Sequence, residues 1–112
     1  MEQKLLEEIE NEIEKYKDFL FIVEGKKDKQ ALENLGLTEI FVLNETGKSL
    51  GEKIEQIESQ KRKICILTDF DKKGKKLYLK LKSELAIRNV RLDNSFRSFL
   101  LKSGVIHIED LL

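Results

Sequence analysis

The chain has 112 residues, 40% of them hydrophobic and 38% charged, with 21 basic and 21 acidic side chains and no net charge. That length sustains one hydrophobic core without disulfide or metal staples, and the single Cys65 excludes an internal disulfide and fits a reducing cytoplasm. No apolar run is long enough to span a bilayer, the N-terminus carries no secretory pattern, and the balanced charge argues against a non-specific nucleic-acid coat while leaving room for a local basic face.

Residues 2–17 carry Leu5, Leu6, Ile9, Ile13 and Tyr16 at helical spacing among Glu and Lys, which predicts an amphipathic helix. Residues 19–23 form a compact apolar run, a first strand, ending at Glu24-Gly25. The segment 26–35 places Asp28, Ala31, Leu32 and Leu35 on one helical side and stops at Gly36. A short second strand follows at 40–43. Ser49 and Glu52 then make a capping box for a helix striped with Leu50, Ile54 and Ile57. The third strand is expected at 63–68, with Cys65 inside it as a buried, inert thiol. After Asp71 a long helix runs to about residue 88, with Gly74, Leu77, Tyr78, Leu81 and Leu85 on one face. Gly74 on that inner face permits close approach to the sheet. Residues 89–92 read as a fourth strand, and Ser95 as the cap of a short helix bearing Phe96, Phe99 and Leu100, closed by Gly104. The tail, 105–112, is apolar enough to dock in a conformation its pattern leaves open. Strands alternating with helices predict an α/β fold: a mainly parallel four-stranded sheet with helices on both faces, in a single domain spanning 1–112.

The chemistry concentrates where two strands end. The third strand stops at Thr68-Asp69-Phe70-Asp71, followed by Lys72, Lys73 and Gly74, and the first stops at Glu24-Gly25-Lys26-Lys27-Asp28. In an open parallel sheet all strand C-termini share one rim, which is where such folds bind ligands. Glu24, Asp69 and Asp71 therefore converge there. Carboxylates this close repel unless a cation lies between them, and hydrated Mg²⁺, with Mn²⁺ as a substitute, is a natural occupant. The alternative for the two aspartates is a polar turn that caps the next helix. Lysines around the acids suit a polyanion beside the metal, although Lys29, Lys75 and Lys76 read better as a solvated helix face.

Val23-Glu24-Gly25-Lys26-Lys27-Asp28, followed by Leu67-Thr68-Asp69-Phe70-Asp71-Lys72-Lys73-Gly74, resembles the paired motifs of the Toprim domain. That domain is shared by topoisomerases, bacterial primases, certain nucleases and a ribosomal-RNA-maturing ribonuclease. The resemblance covers about residues 18–93, leaving 1–17 as an N-terminal amphipathic helix and 94–112 as a C-terminal helix and docked tail. It implies a Rossmann-like Toprim fold, closest in kind to small stand-alone Toprim proteins and similar to the catalytic half of the ribonuclease. It further implies that Glu24 serves as general acid or base and joins Asp69 and Asp71 in holding Mg²⁺. Gly25 and Gly74 would keep backbone close to phosphate or metal, Lys26, Lys27, Lys72 and Lys73 would meet nucleic acid, and Asp28 would orient its neighbours. A topoisomerase is not expected, since Tyr16 and Tyr78 sit on helix faces as packing residues.

The resulting expectation is Mg²⁺-dependent phosphodiester chemistry on RNA or DNA by a cytoplasmic nuclease, acting alone, as a homodimer or within a larger nucleic-acid-processing complex. The alternative is a non-catalytic, metal-dependent nucleic-acid-binding or complex-organising module. Other signals carry less. Thr46-Gly47-Lys48-Ser49 ends like a phosphate-binding Walker loop, but the motif's first glycine falls at Val42. Lys72 and Lys73 stand where a phosphatase with two aspartates after a strand needs Ser or Thr. His107 is expected to have a surface or packing role, and Phe96 and Phe99 to pack in the core rather than stack on bases.

Overall fold

The computed structural model describes every residue except Thr46, so the first residue of the Walker-like stretch lies outside the described residues. Helix α1 (Gln3–Ile13) runs into a 3-10 turn (Glu14–Tyr16) and then strand β1 (Leu20–Val23). Helix α2 (Lys26–Asn34), strand β2 (Ile40–Val42), helix α3 (Leu50–Ser59), strand β3 (Ile64–Ile66) and the long helix α4 (Lys72–Ile87) follow. Helix α5 (Ser95–Lys102) and a closing 3-10 turn (Ile108–Leu111) complete the chain.

The three strands pair in parallel in the order β2-β1-β3, with Phe21 opposite Ile40 and Leu20 opposite Ile64. Alternation along each strand divides the core between the two faces, as a covered parallel sheet requires. Phe21, Val23, Cys65 and Leu67 pack with α1, α2, α5 and the tail, through Ile9, Ile13, Leu32, Phe96, Leu100, Ile108 and Leu111. Leu20, Ile22, Ile64 and Ile66 pack on the opposite face with Ile54 and Ile57 of α3 and Leu81 and Leu85 of α4. Phe96 is fully buried against Phe21, and Cys65 is fully buried within the sheet, where burial pushes its thiol up and out of nucleophilic range. The apolar tail docks: Ile108 and Leu111 are buried and the 3-10 turn lies against α2.

Local chemistry accounts for the ends. Ser49 Oγ accepts from the Glu52 N–H at 3.2 Å while Glu52 Oε1 accepts from the Ser49 N–H at 3.1 Å, a reciprocal capping box. Gly36 takes φ +94°, the left-handed residue that ends α2. The cap of α5 differs from expectation: Asp93, not Ser95, supplies the side chain, its Oδ1 accepting from the Ser95 N–H at 2.8 Å.

The four-stranded expectation also requires correction. At 89–92 the chain makes a single parallel bridge, Leu92 with Ile64, so the sheet has three strands among the described residues. The Ile64 N–H donates to Arg91 O and the Asp93 N–H to Ile64 O, and there the pairing stops. Asn89 in left-handed backbone (φ 60°) and the bond from the Val90 N–H to Leu85 O spend these residues on ending α4. The Asp93 turn then starts α5, leaving no length for a ladder. What occupies the vacant edge of β3 is a side chain, described below. No helix among the described residues is long and apolar enough to cross a membrane.

Candidate metal centre at the strand rim

In the order β2-β1-β3 the chain departs from β1 to one side and returns on the other, so the crevice between β1 and β3 is the topological switch point. Glu24 leaves β1 on one wall of that crevice and Asp69 leaves the β3 side on the other. The β1–β3 ladder continues past the strand ends through the Leu67 N–H, which donates to Ile22 O at 2.7 Å. The next donor in register, the Asp69 N–H, meets not a backbone carbonyl but Glu24 Oε2, at 2.9 Å. Glu24 thus closes the ladder with its side chain, and its own carbonyl accepts from the Asn44 N–H at the end of β2.

The other two carboxylates are fixed in the same manner. Asp69 Oδ1 accepts from the Ile108 N–H at 2.8 Å, and Asp71 Oδ1 accepts from the Gly74 N–H at 2.8 Å as the N-cap of α4. Each acid therefore commits one oxygen to a backbone N–H. Asp69 Oδ2 and Glu24 Oε1 accept no hydrogen bond from the described residues, and Asp71 Oδ2 faces His107 Nε2 at 3.4 Å. The capping reading holds for Asp71, which caps α4 with Oδ1 while Oδ2 stays outside the cap. Ligand atoms of Asp69, Asp71 and His107, all half-buried, lie within 4.8 Å of one another. Glu24 stands beside this cluster, tied to the Asp69 backbone rather than inside it.

Gly74 is required where it stands. A Cβ there would collide with the Asp69 carbonyl oxygen and sit 2.6 Å from the Asp69 carbonyl carbon. The first turn of α4 is thereby pressed against the Asp69 peptide, and Thr68 Oγ1 donates to Gly74 O at 2.8 Å to hold it. Gly25 differs: its backbone is extended at φ −136°, and a Cβ would meet only Asp28 Oδ2 at 3.9 Å, so nothing within the chain demands glycine. Asp28 is 7% exposed and its Oδ2 accepts from the Gly25 N–H at 3.0 Å. Lys26 and Lys27 open α2, Lys72 and Lys73 open α4, and all four are exposed at the acidic rim.

Burial, with the Asp69 and Glu24 charges adding to it, holds the Asp28 carboxyl above the usual carboxylate range, against the opposing Gly25 N–H bond. An acid raised on folding contributes stability that is complete below its unfolded value and fades as pH rises through the folded one. Asp28→Asn retains an acceptor for Gly25 and never ionises. Metal-free D28N is accordingly expected to gain stability over wild type as pH rises from acid to neutral, measured by urea unfolding at each pH. A difference that stays flat with pH contradicts this.

Arg97 of α5, 6% exposed, is the site residue that sequence patterning missed. Its guanidinium donates to Thr68 O at 2.8 Å, Ile66 O at 3.2 Å and Asp69 O at 3.4 Å. Ile64, Ile66 and Thr68 direct their carbonyls to the same edge of β3, so Arg97 supplies donors where a fourth strand would have continued from Leu92. Its plane lies between the rings of Tyr78, 4.1 Å from the centroid, and Phe70, 4.5 Å away. Burial pulls the guanidinium below its ordinary value, with Glu24 and Asp69 among the groups pulling it back, and it remains a cation behind the acidic rim. His107 is half-exposed, and the docked tail carries it to Asp71, a placement that only the tertiary structure reveals.

A single parallel sheet with helices on both faces and an acidic rim at its switch point is a Rossmann-like α/β arrangement whose rim residues could hold a metal ion. The Toprim domain profile matches residues 19–99, and the chain belongs to the Toprim family. Its relatives include UPF0292 proteins: one from Thermococcus gammatolerans is 41% identical across 88% of this chain and 77% of its own length. Another, from Methanocaldococcus jannaschii, is 30% identical across 97% of this chain and 88% of its own length. A solved structure, a putative protein from Aquifex aeolicus, superposes with a TM-score of 0.82 at 32% identity, covering 94% of this chain and 96% of that one. A Toprim domain points to a metal-dependent role on nucleic acid. The residues fit a divalent cation: two carboxylates, each with an uncommitted oxygen, and an imidazole nitrogen meet at one open rim.

Proposed function

We propose that the protein catalyses Mg²⁺-dependent hydrolysis of nucleic-acid phosphodiesters, RNA or DNA, at the rim of the β1–β3 crevice. The observation that carries this reading is the fixing of Glu24, Asp69 and Asp71 by one backbone N–H each, which leaves the second oxygen of each without a backbone donor. Asp69 and Asp71 would hold the ion. When bound, the ion would neutralise phosphoryl charge and acidify a water. Glu24, beside the cluster with Oε1 uncommitted, is placed to take or give the proton. Positioning and charge do most of the work in phosphoryl transfer, so so small a constellation suffices.

The lysines support the same reading through a local cost. Lys26 and Lys27 in the first turn of α2, and Lys72 and Lys73 in that of α4, oppose the positive helix end by about 0.3–1 kcal/mol apiece. A phosphate backbone laid across the rim turns that penalty into attraction and also meets the free N–H groups of both helix ends.

Labelled RNA and DNA incubated with Mg²⁺ test the proposal. Wild type is expected to cut, Glu24→Gln to cut about 10²–10⁴-fold more slowly, and Asp71→Asn to lose metal dependence with activity. Cleavage that is unchanged in both variants contradicts the assignment. Binding in Mg²⁺ with no cleavage favours the non-catalytic module instead.

A further inference from the structure

We propose that His107 is a metal ligand, and that its nitrogen tilts the rim site from Mg²⁺ toward a first-row transition ion such as Mn²⁺; this rests on the metal-site reading above. Three features of the tail converge on it. The backbone on either side of His107 is pinned to the acidic segment: the Phe70 N–H donates to Ile106 O at 2.7 Å, and the Ile108 N–H donates to Asp69 Oδ1 at 2.8 Å. These two anchors hold the backbone of His107 beside the acidic segment. Its Nε2 lies 3.4 Å from Asp71 Oδ2, the oxygen that the helix cap leaves uncommitted. Adjacent donors in an octahedral shell with bonds near 2.1 Å stand roughly 3 Å apart, so the pair can share one ion.

The opposite edge of the ring faces a second carboxylate, beyond hydrogen-bond distance. Asp110 Oδ2 stands 3.8 Å from His107 Nδ1, on the side away from Asp71. A carboxylate that accepts the outer N–H of a metal-bound histidine orients the ring, fixes which nitrogen faces the metal and strengthens it as a donor, and Asp110 is the group placed to close that contact. A packing role accounts poorly for this, since the His107 side chain is 45% exposed and its two nitrogens address two carboxylates.

The consequence is selectivity. Mg²⁺ favours oxygen and gives up water reluctantly, whereas imidazole is a better partner for first-row transition ions. A two-carboxylate site with one histidine therefore gains more for Mn²⁺ than for Mg²⁺. The tail, attached to the metal rim through Ile106, His107 and Ile108, becomes part of the centre rather than a cover for the core.

Calorimetric titration of the full chain with Mn²⁺ and with Mg²⁺, together with pulsed EPR of the Mn²⁺ form, tests this without any substrate. Wild type is expected to bind Mn²⁺ the more tightly and to show nitrogen coupling from one imidazole. His107→Gln should lose that coupling and weaken Mn²⁺ at least about 10-fold while changing Mg²⁺ less than about 3-fold. Asp110→Asn should keep the coupling and weaken Mn²⁺ by a smaller factor, and circular dichroism should show both variants folded. If wild type binds both ions but H107Q leaves the nitrogen signal and the Mn²⁺/Mg²⁺ ratio unchanged, the ligand assignment is overturned while the metal centre stands. If wild type binds neither ion, the metal-site reading fails with it.

Discussion

Gly74→Ala is expected to destabilise the protein by about 3 kcal/mol or more, a fall in Tm on the order of 10 °C. Helix propensity alone argues the other way, because alanine exceeds glycine by about 1 kcal/mol inside a helix. Here the added methyl would run into the Asp69 peptide, which is backbone and cannot swing aside. Either the first turn of α4 lifts, breaking the Thr68 hydroxyl bond to Gly74 O and the Asp71 cap on the Gly74 N–H, or Asp69 is displaced. Both routes disturb the two aspartates together, so metal affinity should fall along with stability. Chemical unfolding and metal titration of the same preparation check it; an alanine variant as stable as wild type contradicts the close approach.

Arg97→Met is expected to cost about 3 kcal/mol and to loosen the acidic rim. Methionine fills comparable space between Phe70 and Tyr78 but leaves the carbonyls of Ile66, Thr68 and Asp69 without their donor. A buried acceptor stripped of its partner costs about 1–3 kcal/mol, and burial of the apolar replacement offsets only part of the total. Arg97→Lys keeps the charge but not the planar fork or the stack, and should fall between the two. Arg97 acts on the site through the Asp69 peptide, so the informative readout is metal affinity relative to stability. Under conditions where R97M remains folded, it should bind Mn²⁺ more weakly than wild type. Equal affinity would reduce Arg97 to a purely structural role.

The elements most legible in the sequence were those whose local chemistry agrees with their place in the fold. The compact apolar run of β1, the capping box at Ser49 and Glu52, the left-handed Gly36 and the apolar face of α4 all state locally what the packing then uses. Glu24, Asp69 and Asp71 were legible as strand-end acids because a parallel sheet sends its strand ends to one rim. The fourth strand was misjudged because Val90 and Leu92 have the right composition while the backbone is already engaged in ending α4 and starting α5. Arg97 was silent for another reason: a single guanidinium supplies donors along the edge of β3, and no periodicity announces a side chain doing a backbone's task. His107 escaped for a related reason. Its partners lie 36 residues away in sequence at Asp71, and only the docking of the tail brings them together.

Anomalous scattering of Mn²⁺ in crystals soaked together with a short oligonucleotide that resists hydrolysis locates the ion and the nucleic acid in one experiment. One strong peak is expected within about 2.3 Å of Asp69 and Asp71 carboxylate oxygens, with a phosphodiester oxygen beside it and Glu24 facing the scissile bond. An oligonucleotide bound elsewhere with no ion between the two aspartates would contradict it.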